Sequence, residues 1–444
     1  MAPRSALRQI LLPVLAATAC TSAAATPAED GVRRDAAAMD EQQRRLDELG
    51  PARPSPPAWV DHEWWQSLIP DDNQPGVERV ALGRALYFDL RLSADGTVSC
   101  ASCHDVGRGF AERRATSIGI GGAIGRRNAP TILNAGLLAG PLRNGRAADL
   151  EEEALLSIVS PVEMGQASAE EAVRAIADDP RYQTLFHLAY GHAPNPVDLG
   201  RAIASFERSL IFLDAPFDRY QDGDTEAVSA AAQRGWALFN GRGGCAGCHT
   251  MGPTSPLGTN GQFHNAGVWA WNLDVDDLEA RAGAILDRDA SPATVDALAL
   301  ASDVSPLGRF LVTRARTDLG AFRTLPIRNV GITAPYMHDG SMATLWDVID
   351  HHNKGGQASD FLDRAIEPLG LSEQEVSDLV ELLFAMTDLR FASQNLAERE
   401  RQGELAARER PFRRDDLAFR RKIALDDEHA GRHRRRGAPR DAMP

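Results

Sequence analysis

Cys100-Ala101-Ser102-Cys103-His104 and Cys245-Ala246-Gly247-Cys248-His249 decide how this chain of 444 residues is read. In a C-x-x-C-H string the two thiols are spaced to form thioether bonds to one haem, and the histidine that follows ligates its iron. A single copy is compatible with a zinc half-site or a redox dithiol. Two copies, each with the histidine in place, select a chain carrying two covalently bound haem c groups.

The remaining cysteine agrees with export. Of five cysteines the haem strings use four; the fifth, Cys20, ends a leader made of Arg4, Arg8 and the apolar run Ile10 to Ala19. Residues 1–25 read as a secretory signal peptide, too short and too rich in alanine for a stable membrane span. Two processing routes stay open: acylation of Cys20 as a lipid anchor, or cleavage near Ala23 to Ala25. Haem is attached to c-type cytochromes after export, so either route gives a periplasmic protein. The net charge is −14; from Glu398 onward 14 Arg/Lys stand against 10 Asp/Glu, making the tail +4 and the rest −18. An acidic body argues against nucleic acid and suits a basic electron donor, although ordinary acidic solubility explains it more simply.

Helical spacing dominates the rest, and almost nothing alternates at period two. Helices are expected over Asp40 to Leu49, Val77 to Phe88, Glu151 to Ile158, Ser168 to Ile176, Asp198 to Leu213, Ala227 to Phe239, Leu345 to His352 and Ser372 to Thr387. Ser168 and Glu171 have capping-box spacing. Asn272 to Pro306 reads as an insertion or lid, and no short repeat is visible. The fold class is mainly α, with two cytochrome c-like domains, each binding one covalent haem c, and long loops. The expected divisions are a poorly ordered linker and N-terminal segment at 26–75, domains at 76–222 and 223–395, and a solvated, charged extension at 396–444.

Further strings resemble the bacterial di-haem cytochrome c peroxidase / MauG superfamily, in that family's order over roughly Gly76 to Leu389. They include Leu82-Gly83-Arg84-Ala85-Leu86-Tyr87-Phe88-Asp89, Arg127-Asn128-Ala129-Pro130-Thr131, Asn144-Gly145-Arg146-Ala147 and Pro161-Val162-Glu163-Met164-Gly165. Phe263-His264-Asn265, Arg328-Asn329-Val330 and Thr333-Ala334-Pro335-Tyr336-Met337-His338-Asp339-Gly340 continue the series. The resemblance implies that the N-terminal haem, on His104, reacts with hydrogen peroxide, while the C-terminal haem, on His249, handles electrons. It assigns Glu163 as the distal acid/base, and Asn128, Thr333 and Pro335 to a calcium site, the latter two through backbone carbonyls. Taken alone, Glu163 reads as a surface or capping carboxylate; the Pro-Val-Glu-Met-Gly string makes it catalytic. Heterolysis of peroxide moves a proton from one oxygen to the other, which a carboxylate in an apolar pocket performs if its pKa lies near working pH.

The chain departs from the peroxidase pattern at three places. Where conventional members carry a histidine that caps the resting iron, this sequence has Ile120, so the reactive haem is expected to be open without reductive activation, as in MauG. Where the family places a relay tryptophan, this sequence has Arg143, which cannot be oxidised; Trp269, Trp271 and Tyr336 are alternative relays, each read first as a packing residue. The distal ligand of the second haem, Met or Tyr in the two branches, aligns with His352, beside His351, with Met337 as fallback; imidazole in place of thioether lowers the haem potential.

The resulting expectation is a peroxide-dependent di-haem oxidoreductase. Its partners are hydrogen peroxide and either a periplasmic electron donor (a small cytochrome c or copper protein) or, as in MauG, a protein substrate; homodimers are common in the family. The alternative from another class is a non-enzymatic di-haem electron carrier, which a wholly low-spin ferric spectrum would indicate.

Overall fold

The computed structural model describes residues 27–50, 56–138, 140–268, 275–288, 291–300 and 303–409. Cys20 with its leader, Trp269, Trp271 and the tail past residue 409 lie outside them. The described helices of nine or more residues are α1 Pro27–Glu48, α2 Val77–Tyr87, α3 Leu150–Val159, α4 Ala169–Ala177, α5 Pro180–Tyr190, α6 Pro196–Ser209 and α7 Ala230–Asn240. They continue as α8 Val275–Ile285, α9 Pro292–Leu300, α10 Leu345–Asn353, α11 Glu373–Ala385 and α12 Ala392–Glu409. Among the described residues the sheet is one antiparallel pair, Phe263–His264 with Phe322–Arg323. The chain is mainly helical, as its periodicity indicates.

Two helix pairs carry the fold, and both meet at a glycine. A Cβ on Gly83 of α2 would lie 1.8 Å from the carbonyl oxygen of Ala202 in α6, and one on Gly235 of α7 would lie 2.1 Å from that of Asp378 in α11. Glycine inside a helix costs about 0.5–1 kcal/mol against alanine. Here it is required, because any side chain would force the backbones apart. The surrounding strings, Gly83-Arg84-Ala85-Leu86-Tyr87 and Gly235-Trp236-Ala237-Leu238-Phe239, are a short repeat where the sequence reading finds none.

Each pair anchors its own apolar core. Around α2 and α6 gather Leu82, Leu86, Ile158, Phe186, Leu199 and Ile203. Around α7 and α11 gather Phe239, Leu345, Ile349, Leu379, Leu382 and Leu383. Burial of such side chains contributes roughly 1.5–3 kcal/mol each. The insertion is not a bare loop: Leu278 and Ile285 of α8 and Leu298 of α9 form a separate core with Leu307 and Phe310. Helix α5, absent from the sequence reading, has its own start signal, with Asp179 as N-cap and Pro180 in the first turn. The Ser168 hydroxyl caps α4 by accepting from the Glu171 N–H at 3.4 Å.

Two segments expected to lie in solvent pack on the body instead. Helix α1 buries Met39 and Leu46, and Gln42 donates to the Ala101 carbonyl at 3.1 Å and accepts from the Val106 N–H at 2.9 Å, bracketing the first haem string. Helix α12 runs through residue 396 without a break and buries Glu398, Gln402 and Ala406. The Gln402 amide accepts from the Leu345 N–H at 3.0 Å and donates to the Gly331 carbonyl at 3.1 Å. One turn earlier, Glu398 accepts from Arg108 at 2.7 Å, tying the same helix to the N-terminal half. Buried polar groups with satisfied hydrogen bonds explain why a charge-rich sequence is ordered here.

Candidate active site

Both C-x-x-C-H strings open onto one cavity of about 520 Å³, lined by all four of their cysteines and by His104 and His249. None of the four thiols is in a disulfide. Upstream, Ser99 and Ser102 form a capping box around the single turn Cys100–Cys103. The hydroxyl of Tyr87, the last residue of α2, donates to the His104 carbonyl at 2.6 Å. The two histidines are then oriented alike. His104 Nδ1 donates to the Pro130 carbonyl at 2.9 Å and His249 Nδ1 to that of Gly258 at 2.8 Å. A carbonyl can only accept, so in both rings the proton sits on Nδ1 and Nε2 keeps its lone pair for a metal.

Glu163 lines the same cavity, on a loop clamped from both sides. Its carbonyl accepts from Ile120 N–H at 2.9 Å, the Met164 carbonyl accepts from Ala94 N–H at 2.8 Å, and Gly165 N–H closes back on Ser160 at 2.8 Å. A Cβ on Gly119 would lie 2.1 Å from the Val162 carbonyl oxygen, so that glycine lets the two loops touch. The carboxyl oxygen Oε2 is buried with no protein partner. Burial pushes the Glu163 carboxyl up to about 7; the nearby Arg146 pulls it down, while Glu153 and Asp296 push it further up. Ile120 packs on the Gly165 side, where a Cβ would meet its Cδ1 at 2.0 Å. It buttresses the Glu163 loop and is not among the residues lining the cavity.

Several further charged groups line this half, with no motif of their own to mark them. Glu207, in the buried stripe of α6, lines the cavity with Oε2 unpartnered, and burial together with Glu153 holds its carboxyl well above the usual range. Arg127 lines the cavity as well; its Nε and Nη1 are buried without partners, while Nη2 donates to the Ser305 carbonyl at 3.1 Å. Arg146 pairs with Asp296 of α9 at 2.7 Å, and Ala299 and Leu300 complete that wall, so the insertion shapes the pocket. A glutamate within an apolar helix stripe is the one local signal that would have marked Glu207.

The second half is different. His352 lines the cavity beside Leu345, Val348, Ile349, Leu379 and Leu383. Burial, with His249 and His351 nearby, drops its pKa to about 3. Its neighbour His351 turns elsewhere, its Nε2 meeting the Ala266 carbonyl at 2.7 Å. Successive helix residues point about 100° apart, so only one of the pair can face the cavity. Tyr336 and Met337 also line it; the Tyr336 hydroxyl is spent on the Val330 carbonyl at 2.9 Å. Within the C-terminal half the His338 ring stacks on Phe322 at a centroid distance of 3.8 Å.

These residues fit haem c. Paired thiols, an oriented imidazole in each half and the unpartnered guanidinium N–H groups of Arg127 match a ring attached by thioethers and carrying anionic propionates. Of the positions expected to hold calcium, Asn128 does not fit it. The Asn128 side-chain oxygen accepts from Arg143 Nη2 at 2.9 Å, its main-chain oxygen accepts from Arg143 Nε at 2.9 Å, and its amide donates to the Arg114 carbonyl at 3.1 Å. Thr333 and Pro335 line the cavity. Calcium takes six to eight oxygen ligands, and here a guanidinium holds the oxygens of Asn128.

Comparison with known proteins places these features. Residues 77–226 match the family model of di-haem cytochrome c peroxidase. The chain is 34% identical to the methylamine utilization protein MauG of Methylorubrum extorquens over 371 residues, 83% of this chain and 89% of that protein. It is 32% identical to the cytochrome-c peroxidase IdrP1 of Denitromonas iodatirespirans over 385 residues, 86% and 93% of the two chains. Among solved structures, a MauG-like protein associated with microbial copper homeostasis superposes with a TM-score of 0.61 at 32% identity, over 74% of this chain and 95% of that one.

Proposed function

The chain belongs to the di-haem cytochrome c peroxidase family, which includes MauG, and from that premise we propose that it consumes hydrogen peroxide in the His104–Glu163 pocket and exchanges electrons through the His249 pocket. It is an oxidoreductase of the peroxidase class, and the family implies haem c as its cofactor. In this reading Cys100, Cys103 and His104 hold one haem in the domain ending near residue 222, and Cys245, Cys248 and His249 hold the other in the domain that follows. His352, lining the cavity near His249, would help to hold the iron of the latter. When bound, haem c supplies the iron that exchanges electrons with peroxide and a conjugated ring that passes them on. Reduction of one peroxide to two waters consumes two protons and two electrons. The electrons come from a periplasmic donor or a protein substrate.

The observation that carries the proposal is Glu163: a carboxyl in the cavity wall, clamped by its backbone, with one oxygen buried and unpartnered, that burial pushes up to about 7. Such a group takes a proton from one peroxide oxygen at Oε2 and returns it to the other as that oxygen leaves as water. Arg146 and Asp296, paired at the insertion wall, set the charge around it. The MauG-like variant of the mechanism is favoured by Ile120, which presents no ligand and faces the Gly165 loop, so peroxide needs no prior reduction to enter.

The test is to mix haem-loaded, fully oxidised protein with an equimolar amount of peroxide, without reductant, and follow the haem absorption. A rapid change that slows by roughly a hundredfold or more in Glu163→Gln supports the reading. No change until one haem is reduced sinks the MauG-like variant and leaves a reductively activated peroxidase. An unchanged rate in Glu163→Gln removes the assigned role of the carboxyl.

A further inference from the structure

Arg143 stands where two demands meet. It lies in the loop between the two haem strings, in the wall of the shared cavity, and both of its bonds to Asn128 use oxygens, one from the side chain and one from the main chain. Asn128 is 3% exposed and sits at the seam between the halves, its N–H donating to the His338 carbonyl at 2.9 Å. Asp339, next to His338 in the same loop of the C-terminal half, is a carboxylate near the Arg143 guanidinium, and a guanidinium carries its charge throughout the neutral range. A planar cation is thus fixed by geometry on the one side-chain oxygen that the family resemblance offers to calcium.

We propose that in this protein the Arg143 guanidinium serves as the built-in cation of the seam between the halves, taking the place of a bound calcium. A divalent ion and a guanidinium ask for the same thing here, an arrangement of neutral oxygens with a carboxylate nearby. They do not tolerate each other at a few ångströms, since like charges in a poorly screened interior repel strongly. The Asn128 oxygen that accepts from Nη2 at 2.9 Å is therefore committed. Two consequences distinguish the arrangement from a metal site. The charge cannot be removed by a chelator, and it arrives with the chain itself, so the seam forms without any ion uptake. This inference concerns cation binding alone and stands or falls independently of the peroxide chemistry.

The experiment uses the intact, haem-loaded protein after passage through a chelating resin. Metal content is measured by plasma mass spectrometry, calcium is titrated calorimetrically, and the ferric haem spectrum and Tm are recorded with and without EGTA. The expected wild type carries no calcium above the buffer blank, gives no binding heat, and keeps its spectrum and Tm in EGTA. Stoichiometric calcium, or a spectrum that EGTA alters and calcium restores, overturns the proposal whether or not any variant folds. Arg143→Ala then vacates the seam: it is expected to bind calcium, with Tm and spectrum becoming EGTA-sensitive, whereas Arg143→Lys keeps the charge and remains indifferent. An Arg143→Ala protein that folds yet ignores calcium also overturns the replacement, because the oxygens left behind would then not be a cation site.

Discussion

Around His104 the cavity wall is built of titratable groups, Glu163, Glu153, Glu207, Arg127 and Arg146; around His249 it is built of Leu345, Val348, Ile349, Leu379 and Leu383, with His352 among them. The attachment chemistry and the orientation of the proximal imidazole are the same in both halves. What differs is the facing side, and that difference separates two tasks. One pocket holds a carboxyl, Glu163, that burial moves to about 7; in the other, burial keeps the His352 imidazole neutral among aliphatic side chains, while His264, paired with Asp363, lies beside Cys248.

The largest effect that would break this contrast is in Glu163→Gln. Beyond the loss of peroxide reactivity, its stability should diverge from wild type with pH in a defined direction. The Glu163 carboxyl is raised from 4.5 to about 7, so the stability of its protonated form is complete below 4.5 and is lost as pH rises through 7. The glutamine variant keeps the neutral form throughout and should unfold at a higher temperature at pH 8, by at most about 3 kcal/mol, with no gain at pH 4. An equal gain at both pH values would mean that the group is not buried as a charge.

Next in size is the second pocket. His352→Ala should convert its haem from low-spin to high-spin in the ferric spectrum and raise its potential by on the order of a hundred millivolts. His351→Ala should leave the spectrum alone and cost about 1 kcal/mol, for the bond to the Ala266 carbonyl. Reversed outcomes would exchange the roles of the two residues. The helix joints sharpen the likeness between the halves: Gly83→Ala and Gly235→Ala should each destabilise by about 1–3 kcal/mol in thermal unfolding, and a joint that tolerates alanine would not be backbone-on-backbone. Smallest is Asp296→Asn. Removing that charge frees Arg146 to act on Glu163, and the acidic limb of the peroxide reaction should move to lower pH by less than about one unit. A limb that moved upward would contradict the assigned electrostatics.

What the sequence made legible is what chemistry demands locally. Two thiols and a histidine must be adjacent to serve one haem, and the Pro161-to-Gly165 string must turn tightly to present a carboxylate, so both are visible as short patterns. Helix periodicity located α2, α3, α6, α10 and α11 to within a few residues. Gly83 and Gly235 were unreadable as joints because a helical glycine looks like a defect until the opposing carbonyl is known. Arg143 was read as a missing relay, since its bonds to Asn128 cross fifteen residues of loop that no periodicity relates. The charged run after Glu398 read as solvated because composition cannot show that Glu398 and Gln402, one turn apart, each find a partner in a different half.

That last helix has a consequence for how the gene can fail. Ribosomes complete Ala392–Glu409 after both C-x-x-C-H strings have been made, so a transcript cut at residue 391 still encodes every thiol and every proximal histidine. Its product would have the means to take up both haems and would lack the strap from Arg108 to Gly331 and Leu345. Premature stops near the carboxyl end should therefore yield coloured protein that loses its shape, a phenotype distinct from that of a lost haem site.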